Sequence, residues 1–199
     1  MRFNLPPSRA GLRVGILGGS FDPAHEGHVK ISLQALKQFD LDQVWWLVSP
    51  GNPLKSNGPA GLDRRVKFAR EAVNHPKIKV TKIESYLQTY HTCDTLHALK
   101  ALYPKTKFIW LMGADNMAQM HLWKDWKRIF EIMPVGVLAR PGQGLLARCS
   151  VAARHFERGR MSSDASQALP SSKVPAWCFV NVPLSHSSST AIREKGEWV

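Results

Sequence analysis

One stretch, Gly18-Gly19-Ser20-Phe21-Asp22-Pro23-Ala24-His25-Glu26-Gly27-His28, holds the residue types that chemistry on a phosphate needs. The two glycines let an anion approach the backbone closely, and His25 and His28, three apart, share one face if a helix starts there. Imidazoles on that face donate hydrogen bonds to phosphate oxygens without carrying a strong permanent charge. The unpaired amides of a helix's first turn and the positive end of its dipole favour the same ligand. An HxxH pair on its own reads as readily as a metal site or as two solvated side chains. The flanks decide: residues 12–17 form a short apolar, β-branched run suited to a buried strand. In residues 29–39, Val29, Leu33 and Leu36, with Ile31 and Ala35, recur at helical spacing. The spacing predicts a strand, a glycine turn and a helix start.

Three further groups could serve such a site. Lys55 lies in a turn-rich loop, residues 50–59, that leaves a second apolar run at 43–49, and loops at that end of a parallel strand are where ligands bind. Asp115, in Gly113-Ala114-Asp115-Asn116 behind the strongly apolar run 107–112, could accept hydrogen bonds from ribose hydroxyls. Ser188-Ser189-Thr190-Ala191-Ile192-Arg193 could cap a helix with Ser188 or Ser189 while hydroxyls and amides hold phosphate oxygens, and Arg193 offers a planar fork of donors. Taken singly, each has a plainer reading, as a solvated lysine, a loop carboxylate or an ordinary cap.

The first stretch resembles the GSFDPxHxGH signature of the nucleotidyltransferases with the HxGH motif, a superfamily related in fold to the class I aminoacyl-tRNA synthetases. The serine-rich stretch resembles that superfamily's ISSTxIR motif, with Ser187 where Ile is usual. Thr89-Tyr90-His91-Thr92-Cys93-Asp94-Thr95-Leu96 resembles the SYTxxTL-like segment of its nicotinate-nucleotide branch, His91 replacing a Tyr. Gly113-Ala114-Asp115 resembles the GAD motif, and residues 122–129 resemble an LxxWxxW segment; Leu54 stands where a His is usual. The resemblance implies an α/β fold, a single Rossmann-like domain with a mostly parallel sheet flanked by helices. It implies His25 and His28 as catalytic residues, with Gly18, Gly19, Ser20, Phe21, Lys55, Ser189, Thr190 and Arg193 binding ATP and its phosphates. Asp115 would hold a ribose, while Thr92 and Trp123 border the nicotinate, Trp123 stacking on the pyridinium ring; Trp126 is left to core packing.

Neither a nucleophile with a matched base nor a carboxylate pair is evident, which suits direct phosphoryl-type transfer by positioning and charge stabilisation. By resemblance the reaction is transfer of the adenylyl group of ATP, with Mg²⁺, to nicotinate mononucleotide, giving deamido-NAD and pyrophosphate in NAD biosynthesis. Nicotinamide mononucleotide or another phosphate acceptor is the alternative. A Rossmann oxidoreductase fits less well, because Gly15, Gly18 and Gly19 do not form GxGxxG. A basic nucleic-acid-binding module would explain the charge and leave both histidines unexplained.

The 199 residues allow one domain with a sizeable core, and 27 basic against 15 acidic residues give a net charge of +12, which calls for an anionic partner. Cys93, Cys149 and Cys178 are odd in number and form no CxxC pair, so neither a disulfide framework nor a zinc site is indicated and a reducing cytoplasm is expected. No apolar stretch is long enough for a signal segment or a membrane span. ATP and nicotinate mononucleotide are the expected partners, without membrane or nucleic acid, and a homo-oligomer is left open.

The remaining pattern predicts a helix over 64–73 capped by Asp63, with Val66, Ala69 and Val73 inward and Arg64, Arg65, Lys67 and Arg70 on a solvated basic face. An edge strand is expected at 78–83, a helix running to Tyr103 with Thr92 and Asp94 as candidate caps, and strands at 134–139 and 177–182. One short helix is expected at 147–156, with flexible segments at 1–10 and about 158–174.

Overall fold

The structure is a computed structural model, and it describes residues 5–51, 58–139, 144–183 and 189–194 and Trp198. Seven strands form one sheet: β1 (Arg13–Gly19), β2 (Gln43–Val48), β3 (Ile78–Thr81), β4 (Lys107–Gly113), β5 (Val135–Ala139), β6 (Arg160–Met161) and β7 (Trp177–Asn181). The helices are α1 (Glu26–Gln38), α2 (Leu62–Ala72), α3 (Ile83–Leu87), α4 (Thr92–Leu102), α5 (Ala114–Gln119), α6 (Trp126–Ile132), α7 (Gly144–Arg148), α8 (Val151–His155) and α9 (Ser189–Glu194). Every strand pairing is parallel, in the order β3-β2-β1-β4-β5-β7-β6. The chain winds outward from β1 to β3, returns to the centre at β4, and winds outward the other way. That reversal opens a crevice between the C-terminal ends of β1 and β4, the place where open α/β sheets hold ligands.

Side-chain alternation along the strands splits the core in two. Val14, Ile16, Trp45, Trp110, Val137 and Phe179 face one side, packed with Leu96, Leu99, Ile129 and Phe130 of α4 and α6. Leu17, Val44, Trp46, Leu111, Leu138 and Val180 face the other, against Ala35, Val66 and Ala69 of α1 and α2. Strands buried on both faces have no polar side, which is why they read as continuous apolar runs.

Several expectations are corrected. Gly61, not Asp63, precedes α2, and the Asp63 carboxylate pairs with Lys82, which holds its pKa below the ordinary carboxylate value. No side chain caps α4: His91 occupies the position, Thr92 is the first helical residue, and Asp94 lies in the first turn. The single helix expected at 147–156 is two, α7 and α8, with Ser150 Oγ capping the second by accepting from the Ala153 N–H at 3.2 Å. The segment expected as a flexible loop carries a 3-10 turn at 157–159, strand β6, and a longer 3-10 run at 163–171 with Leu169 and Pro170 buried. Residues 5–10 of the expected leader lie against the body: Tyr103 donates its hydroxyl to the Pro6 carbonyl at 3.0 Å, and Ser8 Oγ lies 2.6 Å from Thr106 Oγ1. Among the described residues no helix is long and apolar enough to cross a membrane.

Candidate active site

β1 ends at Gly19, and Ser20 and Phe21 lead into the turn before α1. Phe21 has the left-handed φ of +47°, a conformation that costs a bulky residue on the order of 1–3 kcal/mol unless its surroundings hold it. They do: its ring is buried, stacked on Trp46 at 4.8 Å and tilted against His28 at 4.8 Å. Gly18 is required from inside the molecule, since a side chain there would collide with the Trp110 ring; the anion-facing reading of this glycine misses that constraint.

His25 and His28 meet with ring centroids 4.0 Å apart, by a different route from a shared helical face. His25 precedes the helix as its cap, and its Nδ1 accepts from the Gly27 N–H at 3.1 Å; the His25 N–H in turn donates to His28 Nδ1 at 3.2 Å. Both Nδ1 atoms are therefore acceptors, and this hydrogen-bond network assigns the proton of each neutral imidazole to Nε2. The local fold thus selects the tautomer that makes each ring a donor at its outer nitrogen. Behind His28, the Trp46 indole donates to Ser32 Oγ at 2.7 Å and Ser32 donates to the His28 carbonyl at 2.8 Å, tying the first turn of α1 to β2.

The C-terminal motif closes onto this turn. Ser189 Oγ donates to the Pro23 carbonyl at 2.9 Å, and Arg193 donates through Nη1 to the Asp22 carbonyl and through Nη2 to Thr190 Oγ1 at 3.3 Å. Ser189 is the first helical residue and its hydroxyl is bound to the loop, while Ser188, the other candidate cap, lies outside the described residues. The Trp198 indole donates to Asp22 Oδ1 at 2.7 Å, and its ring lies under the Arg64 guanidinium at 4.4 Å. The structure thus brings together Gly18, Gly19, Ser20, Phe21, His25, His28, Ser189, Thr190 and Arg193. Lys55, Leu54, Ser187 and Ser188 lie outside the described residues.

The other side of the crevice is held differently. Asp115 is exposed on α5, and its carboxylate folds back over Gly113, where any side chain would strike it; the glycine lets the two share the strand end. Trp123 is half-buried and stands edge-on to Trp110, centroids 6.5 Å apart. Trp110 is buried, and its indole N–H meets no acceptor among the described residues. Trp126 packs edge-on against His155 and Phe156, as expected of a core residue. Thr92, half-buried, opens α4 after a turn pinned by Thr95, whose Oγ1 donates to Glu84 Oε1 at 3.1 Å and lies 2.8 Å from Thr89 Oγ1. Burial pushes the Glu84 carboxyl up to about 7, against the smaller opposing effect of the Thr95 hydrogen bond. Among the described residues no hydrogen bond joins Thr92 to Trp123 or Asp115, and the three are carried by separate segments.

The residue that sequence reasoning missed is Arg65. Expected on a solvated face, it is fully buried beneath the glycine turn and donates to four backbone carbonyls. The missed signal is its spacing: it falls three residues after Leu62 and four before Ala69, on the inward stripe of α2.

Residues 16–195 match the cytidylyltransferase-like family. A relative from Ruegeria pomeroyi, bearing the name probable nicotinate-nucleotide adenylyltransferase, is 54% identical over 198 residues, 100% of this chain and 93% of its own. A second of that name, from Roseobacter denitrificans, is 55% identical over 199 residues and the whole of both chains. Among solved structures, the nicotinic acid mononucleotide adenylyltransferase of Plasmodium falciparum, complexed with NaAD, superposes with a TM-score of 0.69 at 18% identity, covering 92% of this chain and 83% of that one, a likeness of fold. On the identity that runs the length of both chains, this protein belongs to the cytidylyltransferase-like family and, within it, to the nicotinate-nucleotide adenylyltransferases.

Proposed function

We propose that the crevice between β1 and β4 joins ATP to nicotinate mononucleotide: an oxygen of the mononucleotide phosphate attacks the α-phosphorus of ATP, the bond to the bridging oxygen breaks, and pyrophosphate leaves with its electron pair. The observation that carries this reading is the meeting of two distant segments. Ser189 and Arg193 grip the Asp22-Pro23 carbonyls directly before the paired histidines, so donors from both ends of the chain surround one turn.

In this reading His25 and His28, protonated at Nε2, donate to the ATP phosphates and to the charge that builds in the transition state. Gly19, Ser20 and Phe21 supply backbone amides, and Arg193, with donors beyond the two it spends on Asp22 and Thr190, holds the departing phosphates beside Thr190. Asp115 takes the ribose hydroxyls, while Thr92 and Trp123 border the nicotinate ring. Mg²⁺ enters with ATP as part of the substrate. The Asp22 Oδ1 of this turn already accepts from Trp198 and from the Ala60 N–H, which fits an ion carried chiefly by phosphate and water ligands.

The test is pyrophosphate release from MgATP with nicotinate mononucleotide, nicotinamide mononucleotide or phosphopantetheine as acceptor. A strong preference for the acid is expected. Preference for the amide keeps the transfer chemistry and overturns the acceptor assignment, and no release with any of the three overturns both.

A further inference from the structure

Arg65 is the one charged side chain among the described residues with no exposed surface. Its Nε donates to the Ala60 carbonyl at 2.6 Å, Nη1 to Ser20 at 2.6 Å and to Ser49 at 2.8 Å, and Nη2 to Pro50 at 3.3 Å. These acceptors belong to three separate segments: the turn after β1, the end of β2 with its exit, and the approach to α2. A planar fork with five donors can serve all of them, whereas an ammonium on a flexible stem cannot. No carboxylate lies within ion-pairing distance among the described residues, so neutral carbonyls rather than an ion pair hold the guanidinium.

We propose that Arg65 is the positioning residue of the phosphate site, fixing the Ser20–Phe21 peptide and setting behind it a positive charge that has no ion-pair partner among the described residues. The C=O and N–H of a trans peptide point in opposite directions, so tying the Ser20 carbonyl inward to the guanidinium turns the Phe21 N–H outward, away from Arg65. The same bond helps hold Phe21 in its left-handed conformation, and Phe21 in turn packs on His28. A fixed charge in a water-excluded position acts on an incoming polyanion without having to reorganise. Burial lowers the pKa of the guanidinium from its ordinary value while the charge of Asp22 raises it, and an arginine so treated stays protonated at neutral pH.

This inference rests on the phosphate site being where the preceding section puts it, and its test reads binding rather than turnover. Arg65→Lys and Arg65→Met are compared with the unaltered chain at a temperature where each is folded by circular dichroism; if the Met variant does not fold, the Lys variant alone decides. Calorimetry with tripolyphosphate and with adenosine separates the phosphate and nucleoside halves of ATP. In the Lys variant the dissociation constant for tripolyphosphate is expected to rise about tenfold or more while that for adenosine stays unchanged, because the charge persists and the peptide orientation does not. kcat is expected to fall about 10- to 100-fold from a displaced phosphate loop. A Lys variant with a lowered thermal midpoint but unaltered tripolyphosphate affinity and kcat overturns the proposal and leaves Arg65 a structural residue. Tripolyphosphate binding by the unaltered chain without turnover of any acceptor would sink the function above and leave this inference standing.

Discussion

The two sides of the crevice are built on opposite plans. The phosphate side is over-determined: the turn from Gly19 to His28 is held by a reciprocal histidine cap, an aromatic stack, a buried arginine and three anchors from the C-terminal segment. On the base side Trp123 packs on the core with its ring edge-on to Trp110, Asp115 is exposed, and a buried indole N–H has no acceptor among the described residues. An unsatisfied buried donor costs on the order of 1–3 kcal/mol, and on this side that donor is the Trp110 indole. Phosphate is common to every nucleotide, so its cradle can be rigid. The proposed function puts acceptor choice on the other side, where Trp123 and Asp115 stand.

This contrast predicts where substitutions will be felt. His28→Ala strikes the phosphate side: kcat should fall by about 10²- to 10⁴-fold, while the loss of one cap hydrogen bond costs only about 1 kcal/mol of stability. Near-normal turnover in a folded His28→Ala chain would break the comparison at its strongest point. Arg193→Ala should raise KM for ATP by roughly ten- to a hundredfold and leave KM for the acceptor within a factor of about two, since a charged hydrogen bond is worth about 1.5–3 kcal/mol. Equal effects on both substrates would mean that the anchor shapes the whole crevice.

On the base side, Trp123→Ala should weaken acceptor binding by roughly 2- to 30-fold, matching the 0.5–2 kcal/mol of a ring–cation contact, with ATP affinity unchanged. A change confined to ATP would assign the indole to the wrong side. The smallest effect concerns Glu84. Its carboxyl, raised by burial to about 7 from an ordinary 4.5, keeps a proton in the folded chain that the unfolded chain has lost between those values. Stability contributed by this group therefore declines as pH rises through that window and is gone above it. Glu84→Gln should flatten this slope, read as urea midpoints from pH 5 to 8; parallel curves for the two chains would show that the carboxyl titrates normally.

How far the sequence carried these readings depends on whether a residue's role is local. The histidines, the glycine turn and the central strands were legible because adjacent residues carry the signal, whether as apolar runs or as a strand–turn–helix order. Arg65 was not, since a basic residue among Arg64, Lys67 and Arg70 looks solvated until the carbonyls of Ser20 and Ser49, far away in sequence, are seen to surround it. Residues 144–174 fold into five-residue helices and 3-10 turns, too short to show a period. Their order comes from distant partners, as when Ser166 Oγ donates to the Gln38 carbonyl at 2.8 Å and the Trp177 indole to the Phe156 carbonyl at 2.8 Å. The cap of α2 failed for a related reason: Asp63 found a better partner in Lys82 than in its own helix.

The anchors on the Asp22-Pro23 turn have a consequence for biosynthesis. Ser189, Arg193 and Trp198 reach back across 166, 171 and 176 positions of sequence to hold a turn that the ribosome made first. At about 5–20 residues per second, the histidine turn waits on the order of ten seconds or more for its clasp. By the end of that interval every strand from β1 to β7 has been made, since β7 ends at Asn181, before any of the three anchors. A chain interrupted after Asn181 would hold every strand of the sheet and lack all three contacts on its histidine turn.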